Sequence, residues 1–577
     1  MTLAPSNIRG VIGFLFILFL SSQSLGMAGD LDAAHQDPTL QRLLLANNQG
    51  LLSPSLIQTA FYHSSGITIA DELSALIRDR SPELECRFPA RYSYMASMGF
   101  IKGPLDISHC HTILAKLEDL FVDEVWLVVA SPSVKTPMSY FGHVALVFRR
   151  DNDLYFSRAV SFLADSERHE SEFSLMLRGA IGSIPGTYTV NSFHQLVNKY
   201  IEIDQRSMTA YRLILEPEEI NLLAMHLLEV YGFEIDYNFF SNNCSTGIRS
   251  LLEVAAGQIG GAEIFGRFTS PNTLVSALQD AQRIDGALEF EPTQRTIYDE
   301  YWALPREVRR HIREMLKNDT AEQIQSRDTT AASSTLVWIT QSIYRLQFKA
   351  HGKPPHDYAK VMATSVDWGP NPYRVTTQQN VPQRAISIGY DFGKSNNPVF
   401  SLSPGLYDRE FPIQTGDVRQ TFRYFTGDFR VLSGRLQLDE LRVLDLEFLS
   451  QRNLIWKPRS WKFQIGARRS AASEPLAAFG SYRLGNSWGG PNDLISLMGG
   501  FYMLGGDFSP SLTGSYDRSW GSRSLSMSYS HYFSNSLDHR LSGLNLSVTQ
   551  GLGANSAVIF SHDPAAETSL LSIRRDF

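Results

Sequence analysis

Phe239-Phe240-Ser241-Asn242-Asn243-Cys244-Ser245-Thr246 follows an aromatic run, Tyr231 to Tyr237, and precedes a helical pattern of Ile248, Leu251, Leu252 and Ala255. The spacing places Cys244 at or near a helix start. There the unpaired backbone N–H groups and the helix dipole favour a thiolate. About a hundred residues upstream, Ser139-Tyr140-Phe141-Gly142-His143-Val144-Ala145-Leu146-Val147-Phe148 carries a histidine into an apolar strand. A thiol at a helix start and an imidazole on a strand are the two parts of a cysteine nucleophile with its base. Gly142 points to a close backbone approach beside the ring. Asn243 stands open between an oxyanion donor and a structural cap, and the group that orients the imidazole between Ser139 and Ser157. The expected catalytic set is Cys244, His143, Asn243 and Ser139.

A chain of 577 residues exceeds one ordinary core, so two or more domains are expected. The net charge of -7, without a basic stripe, argues against nucleic acid as a partner. Arg9, the apolar run Val11 to Leu20 and the small residues after it read as a signal peptide over 1–28, cleaved after Gly26 or Ala28. No later apolar run offers a transmembrane helix of about 20 residues. Export gives the cysteines a meaning. Cys86 and Cys110, close in sequence and in polar contexts, are expected to form a disulfide, leaving Cys244 as the odd thiol. His109-Cys110-His111 is not expected to hold a metal, because adjacent residues rarely chelate one ion, and no cofactor is indicated.

Helical patterns lead in over Leu31 to Leu120. Trp126 to Ala130, Val144 to Phe148, Leu154 to Phe156 and Tyr211 to Leu215 read as strands, and a helix begins at Pro217. A small α+β domain is therefore expected over 29–280, with a helical linker over 281–365. From about Pro382 strict period-2 alternation takes over, as in Ile386-Ser387-Ile388-Gly389-Tyr390 and Leu525-Ser526-Met527-Ser528-Tyr529. About ten to twelve such segments, each long enough to cross a bilayer, predict an antiparallel transmembrane β-barrel over 366–577. The charged runs Asp439-Glu440 and Asp445-Leu446-Glu447 are then expected in the lumen or in loops. The terminal Phe577 on an alternating last strand is similar to the assembly signal of outer-membrane barrels.

The series Cys86-Arg87-Phe88-Pro89-Ala90-Arg91, Ser139-Tyr140-Phe141-Gly142-His143 and Asn243-Cys244-Ser245, with Gly179, Gly182, Gly186, Tyr188 and Tyr200 between, resembles the periplasmic Lnb-type family over roughly residues 35 to 280. The resemblance implies a permuted papain-like fold in which His143 and Cys244 match the active-site pair. It further implies lipoprotein N-acyl transfer, from a phospholipid to the amine of a lipidated cysteine. The expected partners are phospholipid, a lipoprotein substrate and the outer membrane, with the first domain in the periplasm and the chain a monomer. Two alternatives keep the same architecture: a peptidoglycan peptidase or amidase using the same pair, and a barrel with a degenerate, non-enzymatic binding domain.

Overall fold

A computed structural model describes the chain except residues 1–30, 32, 104, 106, 113, 114, 116–119, 121, 123, 135–138, 141, 151, 152, 166–177, 180–183, 240, 261–268, 319–338, 340, 344–372, 376–383, 394, 395, 408–417, 453–456, 470–473, 535–541, 554, 565, 566 and 577. The signal-peptide stretch 1–28 and the terminal Phe577 lie outside the described residues.

The strands of the first domain are β1 (Glu124–Ala130), β2 (His143–Arg150), β3 (Asp153–Ala164), β4 (Ile184–Ser192), β5 (Met208–Leu213), β6 (Ile235–Tyr237), β7 (Ile284–Phe290) and β8 (Tyr373–Val375). They form one antiparallel sheet in the order β6-β4-β3-β2-β1-β5-β7-β8. The continuous apolar run of β1 reflects cover on both faces. Val125, Leu127 and Val129 join Val144, Leu146 and Phe148 in the main core under the helices. Trp126, Val128 and Ala130 join Ala145, Val147, Phe193 and Phe290 in a smaller cluster on the other face. The sheet does not stop near residue 280: β7 pairs with β5, and β8 with β7. The stretch expected as a helical linker thus contributes β7 to the first domain, and the start of the stretch expected as barrel contributes β8. The helices of the linker stretch are Thr293–Ala303 and Arg306–Asn318, and Ile297, Ile339 and Ile343 form a satellite core.

The helical lead-in is stapled within itself by a disulfide and joined to the rest of the domain by charge. The capping box of Thr68 and Asp71 starts the helix Ile69–Arg78, and prolines open Pro82–Arg87 and Pro89–Ser97. Cys86 and Cys110 form the expected disulfide. His109 lies close to both, but their thiols are consumed by that bond and offer no metal ligands. Arg91 is almost wholly buried, donating to Glu72 at 2.9 Å and Glu229 at 3.1 Å, with its guanidinium 4.5 Å from the Phe61 ring centroid. Glu229 also accepts from the Ala90 and Arg91 amides. This triad joins the lead-in to the helix Pro217–Val230.

The second domain comprises β9 (Ala385–Asp391), β10 (Asn397–Ser403), β11 (Gly405–Tyr407), β12 (Val418–Leu432), β13 (Arg435–Ser450), β14 (Ser460–Arg468), β15 (Ala477–Gly489), β16 (Asp493–Leu504), β17 (Asp507–Trp520), β18 (Arg523–Tyr532), β19 (Gly543–Gly551), β20 (Ser556–Asp563) and β21 (Thr568–Asp576). β10 and β11 line β12 in succession as one interrupted strand, and β21 pairs back onto β9. The result is a closed antiparallel barrel of 12 strands. Closure leaves no edge, as a bilayer requires. Alternation sorts the faces. Ile388, Ile495, Leu497, Phe501, Leu512, Tyr529 and Ile573 are exposed on the outside, while Ser481, Arg483, Ser496, Thr513 and Asp517 are buried inside. Asp445 and Glu447 point into the lumen, where they face Arg423 and Lys462 at 3.7 and 3.3 Å.

Arg91→Met strands two buried carboxylates. We expect it to destabilise the first domain by about 3–5 kcal/mol, read as a lower unfolding temperature of the full chain. An unchanged transition would show that the triad contributes no stability.

Candidate active site

The helix Cys244–Ala256 begins where its first-turn amides find a cap. Asn243 is extended, and its Oδ1 accepts from Ser245 N at 2.9 Å and Thr246 N at 3.1 Å. Its Nδ2 donates to the carbonyls of Phe239 at 3.0 Å and Thr269 at 2.9 Å. Both amide protons are engaged, so of the two roles the sequence leaves open the geometry fits the cap that fixes Cys244. Gly247, one turn on, lets the helix lie on the sheet: a Cβ there would meet the Phe162 ring at 2.6 Å.

The sheet forks where this helix start reaches it. Pairing of β2 with β3 begins only at Leu146↔Val160. Beyond that point Ser161 to Ala164 pair with β4 alone. His143 and Val144 thus stand at an opening between two strands. The Cys244 sulfur lies 3.9 Å from Ser245 Oγ and on the side of the helix start that faces the Val144 backbone. His143 Nε2 lies 3.2 Å from Ser161 Oγ, across the same opening. The histidine shares the sheet face of Ala145, whereas the cysteine helix covers the face of Val144 and Leu146. His143 and the cysteine helix thus flank the fork from opposite faces of the sheet.

Gly142 sits at φ +90, and a Cβ would stand 2.8 Å from the Ala130 carbonyl. Both facts demand glycine before the histidine. Arg206 clamps the same turn, donating to Ser131 O at 2.7 Å, Ala130 O at 3.3 Å and Ser139 Oγ at 3.3 Å. Its guanidinium lies 4.9 Å from the Tyr200 ring, which in turn packs 5.6 Å from His143. Ser139 therefore belongs to the clamp, and Ser157 accepts from the Arg150 amide at 3.1 Å. Ser161 is the hydroxyl on the ring. Three serines stand near His143 in the strand pattern, and only the strand register separates them.

Burial sets the charges. His143 is pushed down to about 3, chiefly by burial and then by Arg206 and Lys199. The Cys244 thiol is pushed up by burial, against hydrogen bonds from Ser245 and Val144 and the charge of Arg206. A helix start offers at most about 2 kcal/mol, roughly 1.5 pKa units, whereas full burial shifts a group by up to about 3–5 units. Desolvation wins, so the resting pair is thiol and neutral imidazole rather than the thiolate expected from the helix start. The amide of Cys244 itself reaches the Tyr237 hydroxyl, whose own pKa burial raises.

Residues 115–278 match the family described as the Lnb N-terminal periplasmic domain. The match spans β1, His143, Ser161, Arg206 and Cys244, and leaves the helical lead-in and the disulfide outside it. Residues 419–530, in the barrel, match a domain of unknown function, DUF7840. The second domain is a closed barrel with an outward apolar belt, the form that a strand-built membrane domain takes. Among solved structures the chain is similar to the KdgM porin, at 10% identity over 33% of this chain and 99% of that one, with a TM-score of 0.21. A structure titled "Asymmetric conductivity of engineered proteins" is similar at 6% identity over 34% and 98%, with a TM-score of 0.16. No curated protein matches.

Alkylation of Cys244 by iodoacetamide should be slow near neutral pH and climb through the ordinary thiol range and beyond. A rate flat from about pH 5 to about pH 8 would mark a preformed thiolate and contradict this reading.

Proposed function

We propose that this chain is an envelope cysteine acyltransferase acting on lipid acyl esters. The carrying observation is the fork, where the Cys244 helix start covers the sheet beside Val144 and His143 while Ser161 holds Nε2 of the ring. With Nε2 engaged, Nδ1 is the nitrogen left to take a proton. As the thiol attacks the ester carbonyl, its proton passes to His143. The tetrahedral oxyanion forms beside the cysteine helix start. Collapse breaks the ester C–O bond, and the imidazolium returns the proton to the departing lysophospholipid alcohol. The remaining thioester is attacked by an amine, which gives its proton to His143. The products are an amide and the regenerated thiol.

A lipid acyl donor is favoured by the surroundings. The sulfur sits in the main core with Val144, Phe162, Tyr237 and Ile248, and the domain is carried on a membrane barrel. A lipidated N-terminal cysteine is the acceptor that the family resemblance implies. A peptidoglycan amidase would use the same pair with a polar substrate.

Incubation of the full chain with phospholipid and a diacylated lipopeptide should give lysophospholipid and an N-acylated product, with an acyl thioester on Cys244 in single turnover. Cys244→Ala should abolish all three. Ser161→Ala should slow transfer by up to about 100-fold, the cost of a loosened base. Turnover that persists in Cys244→Ala, or cleavage of muropeptides in place of lipid, would refute the proposal.

A further inference from the structure

The turn that ends in His143 also touches the barrel. Val134 is buried against Phe422, Tyr424, Leu446 and Phe448, and Tyr140 packs on Phe422 with ring centroids 5.3 Å apart. The Val134 amide donates to Gln420 Oε1 at 2.9 Å. Register shows which side of the wall this is. Gln420, Phe422 and Tyr424 pair with Phe448, Leu446 and Leu444, which pair on with Trp461, Phe463 and Ile465. The alternate row, Arg419, Thr421 and Arg423 against Glu447 and Asp445, faces the lumen with Lys462. The catalytic domain is therefore seated on the outer wall, the surface that elsewhere on the barrel carries exposed apolar side chains.

The height of the contact follows from the strands. β12 begins, β13 ends and β21 ends at one rim, the rim where β9 leaves the first domain. Trp302 of the first domain lies against Gly490 at that rim too. Trp461, Trp488 and Trp520 all stand within two residues of it, on the outward face or its turn. Tryptophans gathered at one end of a barrel mark a bilayer interface. Gln420 and Phe422 are at the level of Trp461, so the seat lies at the periplasmic leaflet.

We infer that the outer wall of the barrel is part of the acyl site. Val134, Tyr140 and Phe422 are positioning residues that hold the turn before His143 against the wall at leaflet height, so that the acyl chain enters sideways from the periplasmic leaflet rather than through the lumen or from solution. The fate of that chain rests on the acyl transfer proposed above; the route does not.

The test uses the full chain in vesicles of phosphatidylethanolamine and phosphatidylglycerol, with a phospholipid bearing a photoactivatable group on its acyl chain. In a Cys244→Ala background, photolabel should map to residues 131–134 and 139–140 and to the 418–424 strand as well as to the exposed belt over 493–520. Tyr140→Ser or Phe422→Ser should remove label from the turn and keep it on the belt, and Tyr140→Phe should restore it. With Cys244 present, the two serine variants should lose vesicle-lipid turnover about tenfold or more while a soluble short-chain ester and iodoacetamide react as in the parent. Label confined to the belt would overturn the lateral route whatever the chemistry. Serine variants that leave vesicle turnover intact, or that slow soluble and vesicle substrates alike, would overturn it as well. A parent that turns over no phospholipid refutes the acyl-transfer proposal and leaves the photolabel result to decide the route.

Discussion

Asn243 is the constraint on which the site depends. One amide side chain satisfies two first-turn N–H groups of a helix and two carbonyls from separate loops, at 2.9 to 3.1 Å. It thereby decides where the helix starts and where its first side chain, Cys244, points. Replacing it removes two donors and an acceptor at a place 5% exposed, where water cannot substitute freely. The glycine at 247 completes the placement by letting the helix sink onto Phe162. The sulfur's position is thus the outcome of a cap and a missing methyl group, and its chemistry follows from the fork it meets.

Much of this was legible in residue order. The apolar run of β1, the proline opening the helix at 217 and the period-2 pattern after residue 382 each follow from a single local rule. The disulfide followed from export and an odd count of cysteines. The sheet's extension past residue 280 was not legible, because β7 and β8 carry no alternation of their own; β7 owes its pairing to β5 and β8 to β7. Nor was Ser161, since a serine next to a histidine across a sheet looks like any other until register is known. The protonation state was misjudged for a physical reason: the helix dipole is readable from a sequence, but the burial that outweighs it is not.

The two domains meet beside the candidate site. The first domain supplies the thiol, the imidazole and the Arg206 clamp, all around one fork of its sheet. The outer wall of the barrel touches Val134 and Tyr140, next to the Ser139 that the clamp holds. Lumen charges such as Asp445 and Glu447 are paired internally, so the lumen-facing and outward-facing rows of the same strands serve different ends. A single alternation of residues in β12 and β13 therefore carries both a paired polar interior and a seat for the first domain.

All of this rests on an imidazole and a sulfur meeting across the fork. Dibromoacetone alkylates a thiol first and then any ring nitrogen within the reach of its short bridge. Treated with it in the folded state, the full chain should yield one cross-linked species joining the peptide of Cys244 to the peptide of His143, and none in His143→Ala. Mono-alkylation of Cys244 with no bridge to His143 would contradict the account.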